Sequence, residues 1–96
     1  MIWRWVEMFI QPECFQTARQ LLLRQADRVR SFSGCFSLWL YEGDSFTLYS
    51  LSLWESVEAL EAYRNSRVFR DFWAQIRLCF RKRARAITLT RFPIER

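Results

Sequence analysis

Two tryptophans, Trp54 and Trp73, stand near the ends of a stretch that could form one wall of a ligand pocket. The stretch reads LWESVEALEAYRNSRVFRDFW over residues 53–73. Its rings suit either an apolar slot for an aromatic molecule or a plain contact between a sheet and a helix. The chain is 51% hydrophobic and 18% aromatic, which favours a ring-lined cavity together with an apolar surface buried in an oligomer.

Three ionisable side chains could handle protons beside such a pocket: Tyr49, Tyr63 and Glu7. Tyrosine hydroxyls donate and accept hydrogen bonds, although tyrosines whose hydroxyls are simply satisfied are commoner. Glu7 could act as a base if burial among aromatic rings raised the pKa of its carboxyl. Pairing of Glu7 with an arginine on a neighbouring strand is the simpler alternative.

Several classes of catalytic site are excluded by composition. The chain has no histidine, so Ser-His-Asp triads and most metal sites are impossible. It also has no nucleophile elbow, phosphate loop, paired-carboxylate site or zinc cluster. We therefore predict no metal site.

The three cysteines, Cys14, Cys35 and Cys79, have no metal-ligand spacing. Their odd number favours reduced thiols in a reducing compartment. The opening MIWRWVEMFIQPE is interrupted by Arg4 and Glu7, unlike the apolar core of a signal peptide. No apolar run reaches the length of about 20 residues that spans a bilayer. We expect a cytoplasmic protein without a membrane partner.

The net charge is +5, and a basic run covers Arg77–Arg85. Such a run could contact the phosphates of RNA, since some split βαβ sheets bind RNA through aromatic residues. However, no RNP-like strand is present and the chain has only two glycines. A solvated helix end, where cations also suit the helix dipole, explains the run adequately. Nucleic acid is therefore not an expected partner.

The hydrophobic pattern divides residues 1–96 into the elements of one domain. Apolar positions at intervals of three and four predict helices, Ser56 and Ser66 are candidate N-caps, and Gly34 suits a left-handed turn. The predicted elements are a strand over Ile2–Ile10, a helix from Pro12 to about Val29, strands over Cys35–Glu42 and Ser45–Trp54, a short helix after Ser56, a second helix after Ser66 whose apolar stripe reaches Phe80, and a strand over Ala86–Phe92.

This β-α-β-β-α-β order, with the second helix broken, predicts a ferredoxin-like α+β fold: an antiparallel sheet with its helices on one face. Alternation in the third strand places Ser50, Ser52 and Trp54 on one face and Tyr49 and Leu51 on the other. The second set would be an exposed apolar patch in a monomer. We therefore expect a homodimer whose two sheets pack face to face.

With its elements in this order, the chain resembles the antibiotic biosynthesis monooxygenase superfamily of dimeric α+β barrels. The resemblance spans nearly the whole chain and is most specific in LWESVEALEAYRNSRVFRDFW. Members of the family end the third strand on a tryptophan, here Trp54. They continue with a short helix and restart it at an S-x-x-F cap, here Ser66 and Phe69. The turn FSGC, residues 32–35, matches the small-residue turn before strand two.

The resemblance implies a pocket between the sheet and the helices, and a quinone-forming oxygenase chemistry that needs no metal or flavin. In that chemistry a polyphenol loses a proton and the resulting anion reduces O₂. Arg4 would offer a cation if strand parity turns it inward, and Tyr49 and Tyr63 would offer hydroxyls. The other residues implied to line the pocket are Trp54, Trp73, Phe69, Phe72, Trp39, Ser50 and Ser52. The catalytic candidates are Trp54, Tyr49, Tyr63 and Glu7.

The haem-degrading branch of the superfamily is not expected. It uses a tryptophan at the end of the third strand, which Trp54 matches, but also a haem-ligating histidine in the last helix. That position falls at or beside Trp73, so no axial imidazole exists. Three functional hypotheses remain. The first is a cofactor-independent monooxygenase acting on an aromatic or quinol-like compound. The second is a non-catalytic hydrophobic-ligand-binding or stress-response dimer. The third, less favoured, is RNA binding through Arg77–Arg85.

Overall fold

The chain folds as a four-stranded antiparallel sheet with its helices packed on one face. This computed structural model describes residues 1–94. The strands lie in the order β2-β3-β1-β4, which confirms the predicted ferredoxin-like α+β fold. In chain order the elements are β1 (Ile2–Phe9), a 3₁₀ turn (Pro12–Cys14), α1 (Phe15–Arg30), β2 (Cys35–Glu42), β3 (Thr47–Trp54), α2 (Val57–Arg64), α3 (Arg67–Ile76), a second 3₁₀ turn (Arg77–Cys79) and β4 (Arg85–Thr90).

Both predicted serine caps are confirmed. The hydroxyl of Ser56 accepts a hydrogen bond from the backbone N–H of Ala59, and the hydroxyl of Ser66 accepts one from the N–H of Phe69. The break between α2 and α3 is therefore specified locally, by a new cap only two residues after Arg64. Among residues 1–94, no helix has the length and apolarity needed to cross a membrane.

The turn before β2 requires its glycine. Gly34 has a φ of +85°, and a Cβ at this position would clash with the Cβ of Ala59. Any other residue here would therefore have a strained backbone and would also clash with α2. This left-handed conformation agrees with the role that the sequence predicted for Gly34.

Two predicted boundaries differ from the structure. The third strand begins at Thr47 rather than Ser45, because Ser45 and Phe46 both have a φ of 56° and complete the turn instead. The last helix ends at Ile76, and Phe80 is extended and bridges to Ile10 rather than continuing the stripe.

The interpretation of the basic run as a helix end is consequently wrong for most of its length. Residues 81–84 form a connection to β4. There Arg81 donates to the carbonyl of Ser45, and both Arg81 and Lys82 lie over the ring of Phe9. Cation–π contact and a carbonyl partner, not a helix dipole, accommodate these two cations.

The helix-covered face of the sheet carries two buried clusters. One surrounds Met8, Ile10 and Ile76, which are almost fully buried, and the other surrounds Trp54, which is fully buried. The clusters lie toward opposite ends of the strands, because Met8 and Trp54 pair with Leu48 and Ile2 at opposite ends of the β1–β3 ladder. The space between them is only partly filled, and it forms the cavity described below.

The opposite face of the sheet, called here the outer face, carries no element among the described residues. Its alternating side chains are mostly large and apolar, and several are strongly exposed, such as Trp39 at 58% and Leu89 at 46%. Trp5 stacks on Tyr49 across the ladder, with ring centroids 5.1 Å apart. The remaining large members of the outer face are Trp3, Phe9, Tyr41, Leu51, Leu53 and Ile87.

Candidate functional site

A cavity of about 260 Å³ lies between the inner face of the sheet and the three helices. The volume is somewhat below the range of about 300–1,000 Å³ typical of pockets for drug-sized ligands, so it suits a smaller molecule. Its lining is mostly apolar, with a few polar groups. The lining residues are Arg4, Val6, Met8, Leu22, Gln25, Ala26, Val29, Leu38, Leu40, Ser50, Ser52, Leu60, Tyr63, Arg64, Phe69, Phe72, Trp73, Ala84 and Ala86.

Helix α3 supplies the aromatic wall of the cavity. Phe69 and Trp73 stand one helical turn apart and stack, with centroids 5.5 Å apart and an interplanar angle of 19°. Phe80 meets the ring of Trp73 edge-on at 5.4 Å. Because each ring is fixed by another ring, this wall offers a flat, ordered surface against which an aromatic ligand can stack.

Tyr63 places a hydroxyl in the cavity, at the end of α2. The side-chain amide of the buried Gln25 donates to this hydroxyl over 2.8 Å. Burial, as the largest cause, raises the pKa of Tyr63 to about 12, partly offset by the hydrogen bond from Gln25. The phenol is therefore neutral at physiological pH, and with Gln25 on its oxygen its own O–H is left to donate to a ligand.

Trp54 lies behind the cavity rather than in its lining. Its ring is fully buried and stacks on the ring of Tyr63, with centroids 5.3 Å apart. Its indole N–H donates to the hydroxyl of Ser52 over 2.8 Å. Ser52 itself lines the cavity, and since its oxygen accepts that hydrogen bond, its O–H remains available as a donor. Trp54 thus supports two lining residues, and its predicted position in the pocket wall is wrong.

Two arginines line the same cavity. Arg4 comes from β1 and donates to the hydroxyl of Thr88 on β4 over 2.8 Å, so strand parity does turn it inward. Arg64 ends α2 and pairs with Glu61 at 3.1 Å. Burial, followed by the charge of Arg64 and partly offset by Glu61, lowers the pKa of the Arg4 guanidinium below its ordinary value.

The structure brings together six of the residues that the sequence indicated. Ser50, Ser52 and Tyr63 supply hydroxyls, and three aromatic residues of α3 supply the wall: Phe69, Phe72 and Trp73. They meet because β3 lies across the cavity from both α2, which carries Tyr63, and α3. The sequence pattern correctly separated the two faces of β3, and this separation placed both serines.

Three other candidates lie on the outer face, away from the cavity: Glu7, Tyr49 and Trp39. Each stands one residue out of phase with a lining neighbour, and successive side chains of a strand point to opposite faces. Glu7 accepts from the indole of Trp5 over 3.2 Å and lies 3.9 Å from Arg85 on β4. Glu7 is therefore paired with an arginine on a neighbouring strand, which is the alternative to its acting as a base. None of the three residues can contact a ligand in this cavity.

Gln25 and Arg64 are lining residues that the sequence reasoning missed. Gln25 is only 4% exposed, and its spacing could have indicated this. Ala18, Leu22, Gln25 and Val29 follow one another at intervals of four, three and four, so Gln25 lies in the apolar stripe of α1. Arg64 carries no comparable signal, because its position depends on where α2 ends.

The family model described as antibiotic biosynthesis monooxygenase matches residues 1–75. No curated protein has a significant sequence match to the chain.

Solved structures share the fold at low sequence identity. A crystal structure described as antibiotic biosynthesis monooxygenase aligns with a TM-score of 0.91 at 17% identity, covering 97% of this chain and 100% of that one. Rv0793 from Mycobacterium tuberculosis aligns with a TM-score of 0.90 at 22% identity, covering 97% and 96%. PA3566 from Pseudomonas aeruginosa aligns with a TM-score of 0.85 at 19% identity, covering 96% and 94%. At these identities the likeness concerns the fold alone.

Proposed function

Because this chain belongs to the antibiotic biosynthesis monooxygenase family, we propose that it is a cofactor-independent monooxygenase. Its substrate would be a small aromatic or quinol-like compound that binds in the cavity between sheet and helices. The observation that carries the proposal is the arrangement of the lining. A stacked aromatic wall on α3 faces two hydroxyls, on Ser52 and Tyr63, whose oxygens already accept hydrogen bonds from Trp54 and Gln25.

The reaction class needs little from the protein beyond positioning and charge stabilisation. An activated ring CH₂ reacts with O₂ to give a C=O group and water, and the electrons that reduce O₂ come from the substrate itself. The ring would stack on Phe69 and Trp73. The O–H groups of Ser52 and Tyr63 would donate to the substrate oxygen on which negative charge develops, which is how an oxyanion hole lowers a barrier.

The experiment that tests this function is oxygen uptake with a panel of anthrones and quinols. We expect uptake and product formation with wild-type protein, and a rate lowered by roughly a hundredfold in Tyr63→Phe, because one oxyanion donor is lost. Tyr41→Phe is the matched control, since it likewise removes one tyrosine hydroxyl but lies outside the cavity lining and keeps the ring on the outer face. Equal substrate loss with and without O₂, or equal rates in the two variants, would contradict the proposal.

A second function is favoured by one observation: the cavity lining includes no carboxylate, and the chain has no histidine. Without an evident side-chain base, the cavity could serve a non-catalytic dimer that holds a hydrophobic ligand. Native mass spectrometry after aerobic incubation separates the two functions. A binding protein returns its ligand unchanged in mass, whereas an oxygenase returns a product in which one oxygen atom has replaced two hydrogens.

We also propose that two copies of the chain pack together through their outer faces. This proposal rests on the exposed rings of Trp39 and Tyr41 and on the family, whose members are commonly dimeric. A patch of this kind would be unfavourable in water. A two-fold contact would pair the patch with itself, leaving the helix-covered side free for the ligand.

A further inference from the structure

The cavity has one strongly basic end. Arg4 and Arg64 are the ionised side chains in its lining at neutral pH, and they come from two different elements, β1 and α2. The aromatic wall on α3 is uncharged. An apolar slot with two guanidinium groups is an asymmetric environment that distinguishes one end of a ligand from the other.

The positive charge at this end is only partly neutralised. Glu61 pairs with Arg64 through both carboxylate oxygens, at 3.1 and 3.3 Å from one guanidinium nitrogen. Arg4 has the neutral hydroxyl of Thr88 as its hydrogen-bond partner, and no carboxylate within residues 1–94 pairs with it. Of the two cations, only Arg64 therefore has a carboxylate partner.

The two arginines also affect each other. Burial comes first and the charge of Arg64 second among the causes that lower the pKa of Arg4. A guanidinium nevertheless stays protonated at physiological pH. The protein therefore maintains two positive charges near each other at a partly desolvated site, and an anion placed there would relieve their repulsion.

We propose that the cavity binds its aromatic ligand as an oxyanion, with the acidic group at the Arg4–Arg64 end and the ring against α3. This inference rests on the proposed function and narrows its substrate class to compounds bearing a carboxylate or an ionised phenol. Guanidinium groups match the geometry of such oxygens and form charge-assisted hydrogen bonds with them.

Binding of the substrate as an anion would also explain how the reaction proceeds although the cavity lining includes no carboxylate and the chain has no histidine. A phenol or anthrone loses a proton to water to some extent at any pH, and a site that prefers the ionised form draws that form out of solution. The equilibrium then shifts by the difference in affinity between the two forms. A substrate bound as its phenolate or enolate is already electron-rich toward O₂, so no side chain has to remove that proton, whereas a carboxylate would serve only to anchor and orient the ring.

The first test compares two probes of nearly equal shape, naphthalene-2-carboxylate and naphthalene-2-carboxamide, by calorimetry with wild-type protein. We expect the carboxylate to bind more tightly by roughly tenfold or more, as for a hydrogen bond to a charged group at a partly exposed site. The preference should weaken at high salt, because exposed charges are screened. Equal affinity, or tighter binding of the carboxamide, would overturn the proposal.

The second test uses matched charge deletions. Arg4→Gln and Arg64→Gln should each lower the carboxylate affinity by roughly tenfold while changing the carboxamide affinity less than twofold. Arg70→Gln is the control, because Arg70 is an exposed arginine of α3 outside the cavity lining. It removes the same charge and should change neither affinity. An equal loss in the Arg70→Gln control would mean that net charge, not this site, attracts the ligand, and would also overturn the proposal.

A third arm distinguishes ionised phenols from carboxylates. 4-Nitrophenol is coloured only as its phenolate, so a spectrophotometric pH titration reports its pKa when it is bound. We expect wild-type protein to lower that pKa and Arg4→Gln to lower it less. An unshifted pKa with tight carboxylate binding would limit the ligand class to carboxylates.

These measurements involve no oxygen chemistry, so their outcome is separate from that of the oxygen-uptake experiment. Oxygen uptake together with tighter carboxamide binding would retain the proposed function and reject the anion site. Selective carboxylate binding without uptake would retain the anion site and reject the oxygenase.

Discussion

The two faces of the sheet are built from the same four strands and differ in almost every other respect. The inner face meets the helices, buries Trp54 completely, and leaves a cavity lined by Arg4 and Ser52. The outer face exposes 58% of Trp39 and carries a stacked pair of half-buried rings, Trp5 on Tyr49. Hydrophobicity alone does not distinguish them, since both are rich in aromatic residues.

The difference shows that moving by one residue along a strand changes the face of the sheet on which a side chain lies. Tyr49 and Ser50 are neighbours in β3, yet one stacks on the outer face and the other lines the cavity. The inner face also uses small polar residues where the outer face uses large apolar ones. The cavity exists because the inner side chains of β3 at positions 50 and 52 are serines, which leave space that leucines would fill.

The largest expected effect comes from removing a tryptophan on each face. Trp54→Ala should lower the free energy of unfolding by about 3–5 kcal/mol, because it leaves a cavity among buried rings. Trp39→Ala, on the outer face, should cost about 0.5 kcal/mol or less in the isolated chain. Urea denaturation measures both. Trp54→Phe, which keeps a ring but loses the N–H, provides a milder variant if Trp54→Ala does not fold.

Equal losses in Trp54→Ala and Trp39→Ala would contradict the contrast between the faces. A loss in Trp39→Ala that grows with protein concentration would instead show that the outer face is buried by self-association, since mass action links the two.

The second prediction concerns the outer face directly. Leu51→Glu places a carboxylate at the centre of the proposed two-fold contact, and burying an unpaired charge there would weaken association by at least roughly a hundredfold, or about 2.7 kcal/mol. Sedimentation equilibrium measures the change. Circular dichroism should be unaltered, because Leu51 is not part of the helix-covered core. A wild-type chain that stays monomeric at high concentration would reject the dimer outright.

Most of the fold could be predicted from the sequence because its signals are local. The serine caps at Ser56 and Ser66 and the left-handed Gly34 are each specified within a few residues. The strand starting at Ser45 was mispredicted because its alternation continues through two residues whose backbone turns the chain.

The site was harder to predict because it depends on which strand face each residue joins and on contacts between distant elements. Ser50 and Ser52 followed from alternation within one strand. Glu7 and Trp39 were misplaced because nothing in β1 or β2 alone says which face the helices will cover. The spacing of Gln25 within the apolar stripe of α1 could have indicated its burial, but its role in the site was missed because its hydrogen-bond partner Tyr63 is 38 positions away.

The third prediction uses the buried phenol of the inner face. The pKa of Tyr63 is raised to about 12 from 10.0, so the folded protein holds this proton more tightly than the unfolded chain does. The resulting stabilisation is complete below about pH 10 and is lost as the pH rises to about 12. Two pKa units correspond to roughly 2–3 kcal/mol. Urea midpoints across this pH range measure the loss.

Tyr63→Phe isolates this effect. At neutral pH the variant should be less stable by about 1–3 kcal/mol, since the buried amide of Gln25 loses its acceptor. Its stability should then decline less with pH, so the two curves approach each other near pH 12. Burial also raises the pKa of Cys79 to about 11, but both proteins share that contribution. Parallel curves would contradict the assignment to Tyr63.

The smallest expected effect compares the two serine caps. Ser66→Ala and Ser56→Ala should each cost about 1 kcal/mol of stability, the usual value for an N-cap. Only the hydroxyl of Ser66 bonds lining residues, because it donates to the carbonyl of Tyr63 over 2.6 Å and accepts from the N–H of Phe69. The hydroxyl of Ser56 instead accepts from Ala59, which is outside the lining. We therefore expect Ser66→Ala to lower ligand affinity several-fold, while Ser56→Ala leaves affinity unchanged at the same loss of stability. Equal affinities would mean that the positions of Tyr63 and Phe69 are set by their mutual ring contact at 5.3 Å and not by the cap between them.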